Sequence, residues 1–67
     1  MKNNVAERRL QRGWTQADLA GSLGVSRQTV ISIERGRFDP SLPLAFLIAG
    51  TFGCAIEEVF CAPESER

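Results

Sequence analysis

The chain has 67 residues, of which 43% are hydrophobic, and its eight Lys and Arg balance eight Asp and Glu with no His. A chain this short forms one domain at most and buries only about 60% of the surface its unfolded form exposes, yet its apolar fraction suits a packed core rather than disorder. No apolar run approaches the ~20 residues that span a bilayer, and the N-terminal MKNNVAERR is charged and lacks the apolar core of an export signal, so a cytoplasmic chain is predicted.

The punctuation predicts five short helices and no strand. The first runs from about residue 4 to 12 and stops at Gly13. Its apolar stripe is thin, with Val5 and Leu10 five apart, so alanine and arginine stems must fill part of its inner face. In the second, Thr15 and Asp18 make a capping-box-like pair, and Trp14 with Leu19 a hydrophobic staple. Leu19, Ala20 and Leu23 form its core stripe, and Gly24 ends it. The third helix has Ser26 as its N-cap, Val25 and Val30 as a second staple, Val30 and Ile33 facing inward, and Gly36 at its end. FDPSLP then makes a turn in which Ser41 can cap the next helix and Pro43 is tolerated in the first turn. The fourth helix, about 42 to 52, is apolar nearly all round, which suits a helix either deeply buried or sealed by a partner. Gly53 ends it, and a fifth helix, about 56 to 60, closes the domain at residue 62. Ala55 is a poor cap, so that N-terminus should fray or find another acceptor. Residues 63–67 read as a disordered tail.

The zero net charge hides a polarity. Residues 1–37 carry Lys2, Arg8, Arg9, Arg12, Arg27, Arg35 and Arg37 against Glu7, Asp18 and Glu34, a balance of +4. Residues 38–67 carry Arg67 against Asp39, Glu57, Glu58, Glu64 and Glu66, a balance of −4. One half can therefore present a positive field to a polyanion.

The few residues around Gly24 force a steep crossing of the second and third helices, the geometry of a helix-turn-helix. Opposite Val30 and Ile33, the third helix carries Gln28, Ile31, Ser32 and Arg35. Arg27 and Gln28 sit on its first turn, the part of a recognition helix that reaches base edges. There arginine can fork onto guanine O6 and N7, glutamine onto adenine N6 and N7, and Ile31 can meet a thymine methyl.

GWTQADLAGSLGVSRQTVISIERGRFDPSL resembles the Xre/Cro family of phage-repressor-type helix-turn-helix regulators over about residues 4 to 60. The resemblance implies an all-α, compact five-helix, lambda-repressor-like DNA-binding domain, acting as a homodimeric repressor. It assigns Gln16 a phosphate at the start of the second helix. Ser26, Arg27, Gln28, Thr29 and Ser32 fall on base-reading and groove-lining positions, and Arg35 and Arg37 on the loop that grips the backbone. Arg9 and Glu34 match a structural pair joining the first helix to the third. Arg8 stands where the family has a core leucine, so the first helix either packs differently or carries an extra phosphate contact. Leu47 replaces a polar residue and, with Ile56 and Phe60, suggests a dimer interface on helices four and five.

Other roles are weaker. Cys54 and Cys61 are seven apart, a spacing that matches no zinc or redox motif, so free thiols are expected, one of them filling the core. Metal and cofactor sites are not expected. Enzyme chemistry lacks its parts: there is no Cys–His or Ser–His pair and no phosphate-cradling glycine loop, and the adjacent Glu57 and Glu58 point apart. No small-molecule pocket is expected. The alternatives to an operator-binding repressor are an antitoxin-like interaction module acting through the apolar fourth helix, and a restriction–modification controller.

Overall fold

The computed structural model describes residues 1–61, so residue 62 of the predicted domain and the tail predicted at 63–67 lie outside the described residues. Five helices follow one another: α1 Val5–Gln11, α2 Gln16–Leu23, α3 Arg27–Glu34, α4 Leu42–Phe52 and α5 Ile56–Val59.

α1 starts without a side-chain cap from Asn4; the preceding Asn3 accepts the Val5 N–H through Oδ1 at 3.1 Å instead. Its inner face is Val5 and Arg9, both buried, whereas Leu10 is 64% exposed. The prediction that Leu10 joins the inner stripe is therefore corrected. Five residues at 100° each turn Leu10 some 140° from Val5, and Arg9, four on, takes the inward place. The expectation of an arginine stem on that face holds.

α2 begins with the predicted reciprocal pair. The Asp18 N–H donates to Thr15 Oγ1 and the Thr15 N–H to Asp18 Oδ2, each at 2.9 Å. Leu19, Ala20 and Leu23 are buried, and Trp14 packs against the same core. Its ring stacks on Phe52 of α4 at 6.0 Å, and the Arg12 guanidinium lies 5.0 Å from the Phe52 ring while donating to the Phe52 carbonyl at 2.8 Å.

At Gly24 the backbone turns left-handed, φ 72°, and the Val25 N–H reaches back to the Ala20 carbonyl at 3.1 Å. This satisfies a terminal carbonyl of α2 and reverses the chain within three residues, where a side chain would be strained. Ser26 then caps α3, whose Val30 and Ile33 are buried against α2.

α4 begins at Ser41, whose Oγ accepts the Leu44 N–H at 3.3 Å, and buries Ala45, Ile48, Ala49 and Phe52. That i, i+3, i+4, i+7 pattern leaves Leu42, Phe46 and Leu47 exposed. α5 finds the substitute acceptor that its alanine cap required: the Glu58 N–H donates to the Ala55 carbonyl at 3.0 Å, and Glu58 Oε1 accepts the Ala55 N–H at 2.7 Å. The predicted extent of α5 to Phe60 is one residue too long. Phe60 is extended, φ −114° and ψ 134°, and pairs with Asn3 in an antiparallel bridge. Cys54 is half-buried against the core and Cys61 is exposed, both free thiols.

The Thr15 N–H, with the Thr15 side chain second, holds the Asp18 carboxyl below its ordinary pKa of 3.8. A carboxylate depressed by folding contributes stability that is present above its unfolded value and lost as pH falls through the folded value. Urea denaturation of wild type and Asp18→Asn between neutral pH and about pH 3 should therefore converge as the pH falls. Thr15→Ala should lower stability by about 1 kcal/mol at neutral pH.

Candidate nucleic-acid interface

The site is built on α3, and one carboxylate fixes how α3 sits. Glu34, in the last turn, accepts from Arg9 Nε at 2.7 Å and Arg9 Nη2 at 3.3 Å. It also accepts from Gln16 Nε2 at 3.1 Å, and Arg9 Nη1 donates to the Trp14 carbonyl at 2.8 Å. The Arg9 and Glu34 side chains are only 11% and 7% exposed. α1, the start of α2 and the end of α3 therefore meet at one buried ion pair, as the family resemblance implied for Arg9 and Glu34. Gln16, assigned to a phosphate, spends one amide hydrogen on Glu34; the other points to no acceptor among the described residues.

The other end of α3 is held by its cap. Ser26 Oγ accepts the Thr29 N–H at 3.1 Å and lies 2.8 Å from Thr29 Oγ1. These two hydroxyls, expected to line a groove, are thus also the device that starts the helix. Arg27 and Gln28 are exposed on the first turn and make no side-chain hydrogen bond or ion pair among the described residues. Arg27 shares an open cleft with Thr15, Gln16 and Ala17, so the start of α2 and the first turn of α3 lie side by side. Ile31 and Ser32 are half-buried further along α3. Arg35 at the C-cap and Arg37 just beyond are exposed, with the loop drawn back where the Arg37 and Phe38 N–H groups donate to the Ser32 carbonyl at 3.0 and 3.3 Å.

The cations of residues 1–37 divide by role. Arg8 donates to Asn4 Oδ1 at 2.9 Å and to the Glu58 carbonyl at 3.4 Å, so it braces α1 against α5, the packing alternative of its two readings. Arg9 is in the buried pair and Arg12 is on Phe52. Lys2, Arg27, Arg35 and Arg37 have no side-chain partner among the described residues. Among the predicted interface residues, Leu47 is 47% exposed and Ile56 half-buried. Phe60 is corrected: at 8% exposure its side chain belongs to the domain's own core, and its backbone bridges to Asn3. The sequence reading missed Leu42 and Phe46, 64% and 58% exposed, which the buried periodicity of α4 would have placed outward. Among the described residues no cluster of three potential metal ligands occurs, and no helix is long and apolar enough to cross a membrane.

A helix-turn-helix family model matches residues 5–59, an extent that takes in all five helices. The chain belongs to the helix-turn-helix family of DNA-binding transcriptional regulators. It is 53% identical over 66 residues to the uncharacterized HTH-type transcriptional regulator MJ0272 of Methanocaldococcus jannaschii, covering 98% of this chain and 100% of that one. It is 45% identical over 64 residues to the uncharacterized HTH-type transcriptional regulator YgzD of Bacillus subtilis, covering 96% and 97%. Among solved structures it resembles the hypothetical transcription factor NHTF from Neisseria, with a TM-score of 0.77 at 28% identity over 94% of this chain and 72% of that one. Membership of this regulator family agrees with the exclusion of enzyme chemistry drawn from the sequence.

Removing one partner of the buried pair strands the other in a site with little water. Arg9→Ala should cost about 3 kcal/mol of unfolding free energy, measured by urea denaturation. Replacing both partners by apolar residues, Arg9→Met with Glu34→Leu, should recover much of that loss.

Proposed function

We propose that this regulator is a repressor that binds a near-palindromic operator in duplex DNA sequence-specifically, as a homodimer. The observation that carries this reading is the pair Arg27 and Gln28: exposed, unpartnered among the described residues, and projecting from the first turn of a helix held at both ends. A side chain presented from a fixed backbone loses less freedom on binding than one on a mobile loop, which favours discrimination between bases. Ser26, Thr29, Ile31 and Ser32 line the groove beside them. Gln16, Arg35 and Arg37 take the flanking phosphates, which set register without reading sequence.

The homodimer is supported by Leu42, Phe46 and Leu47, an apolar face too exposed for a domain of this size to leave wet without reason. Two α3 helices related by a two-fold axis would then enter successive major grooves about 34 Å apart. Occupying promoter DNA represses by exclusion. The same face favours the second reading, an interaction module docking another protein; a restriction–modification controller would use the same DNA surface and differ in its operator's placement.

Selection of bound duplexes from random DNA should return a near-palindrome with half-sites one helical turn apart. Arg27→Ala and Gln28→Ala should each weaken binding to that duplex by about 1–3 kcal/mol and relax preference at single base positions. Leu47→Asp should shift sedimentation from dimer to monomer. Retention of DNA binding by both α3 variants, with function lost in Leu47→Asp, would favour the interaction module.

A further inference from the structure

Of the four cations in the first half of the chain without a side-chain partner among the described residues, three fall on positions already assigned to DNA, and Lys2 does not. The structure nevertheless gives Lys2 a defined place. The neighbouring Asn3 is half-buried, with its Nδ2 donating to the Ile33 carbonyl of α3 at 2.8 Å and its Oδ1 accepting the Val5 N–H. The Lys2 carbonyl accepts the Cys61 N–H at 2.9 Å, and the Asn4 N–H donates to the Val59 carbonyl at 3.1 Å. The backbone on both sides of Lys2 is therefore pinned to the end of α5 and the residues after it, and the Asn3 side chain ties the same segment to the C-terminal end of α3, while the Lys2 side chain is exposed. Gly36 permits this approach, since a Cβ there would stand 3.3 Å from the Met1 carbonyl oxygen, at a φ of +75°.

Met1, Lys2, Asn3, Glu34, Arg35 and Gly36 line one open cleft. Among the described residues the two carboxylates of this region are engaged: Glu34 by Arg9 and Gln16, Asp39 by the α-amino group of Met1 at 3.1 Å. The last carbonyls of α3 would repel an anion through the helix dipole, but Asn3 covers the Ile33 carbonyl, and Lys2 and Arg35 add two positive charges at the rim.

We propose that Lys2 and Arg35 form a phosphate-binding cleft at the C-terminal end of α3, taking a backbone phosphodiester of duplex DNA that flanks the bases read by its first turn. This rests on the DNA-binding reading above. An ammonium on a flexible stem suits such a ligand as a point charge, with no base preference. Lys2 then adds affinity equally on every sequence, whereas Arg27 and Gln28 add preference.

The test measures dissociation constants against salt for wild type, Lys2→Ala, Lys2→Arg and Arg27→Ala, on the duplex recovered by selection and on a scrambled duplex of equal length. Lys2→Ala should weaken binding to both duplexes by the same factor and lower the salt slope by about 0.9 for each Lys2 engaged. From 50 to 200 mM salt the wild type should therefore lose about 3-fold more affinity than the variant for each such contact. Lys2→Arg should keep the wild-type slope, and thermal melting of Lys2→Ala should match wild type. An unchanged slope in Lys2→Ala, while Arg27→Ala still relaxes preference for the selected duplex, overturns the cleft and leaves DNA reading intact. If the wild type retains no duplex in the selection, both fall together.

Discussion

The Arg9 guanidinium and the Gln16 amide converge on the Glu34 carboxylate, and the orientation of α3 follows from that convergence. Three helices contribute one side chain each, and Arg9 adds the Trp14 carbonyl, so the ion pair is hydrogen-bonded on both sides. A buried pair of this kind is weak evidence for net stability, because desolvation offsets much of the attraction. Its effect is directional: a carboxylate with three donors at fixed angles admits one placement of the last turn of α3. At the opposite end, Gly24 and the Ser26 cap admit one placement of the first turn. A small core of Val30 and Ile33 against α2 then has only to keep the two ends together.

This explains why a chain of zero net charge is built around arginine. Arg8, Arg9 and Arg12 reach carbonyls, a carboxylate and aromatic faces inside the domain. Only Arg9 of the three is buried, its stem filling the inner face and its guanidinium finding the polar partners that burial demands; Arg8 is half-buried and Arg12 exposed. Lys2, Arg27, Arg35 and Arg37 keep their charge for the outside. Among the described residues, Glu34 is bound inward and Asp39 is tied to the α-amino group of Met1, so neither is left to cancel the outer cations.

α4 carries the opposite economy. It packs Ala45, Ile48, Ala49 and Phe52 against the rest of the domain and still presents Leu42, Phe46 and Leu47 outward. One helix thus completes the core and supplies an apolar surface on the far side from it. Phe60, which the sequence grouped with that surface, is instead consumed when the two ends of the described chain pair across Asn3.

Local chemistry was legible in the sequence wherever a residue acts on its own neighbours. Thr15 with Asp18, Ser26, Ser41, and the turn at Gly24 mark helix ends through contacts within a few residues, and the structure shows each of them. The all-α class, the five elements and the helix-turn-helix followed from those signals. What the tertiary structure decided concerns residues whose partners are distant in the chain. Arg9 can be buried because Glu34, 25 residues on, is there to meet it; Arg8 is structural because the Glu58 carbonyl is within reach; and Lys2 has a place because Asn3 reaches Ile33. Periodicity describes a helix by itself, and cannot say which of two candidate faces a remote carboxylate or carbonyl will claim.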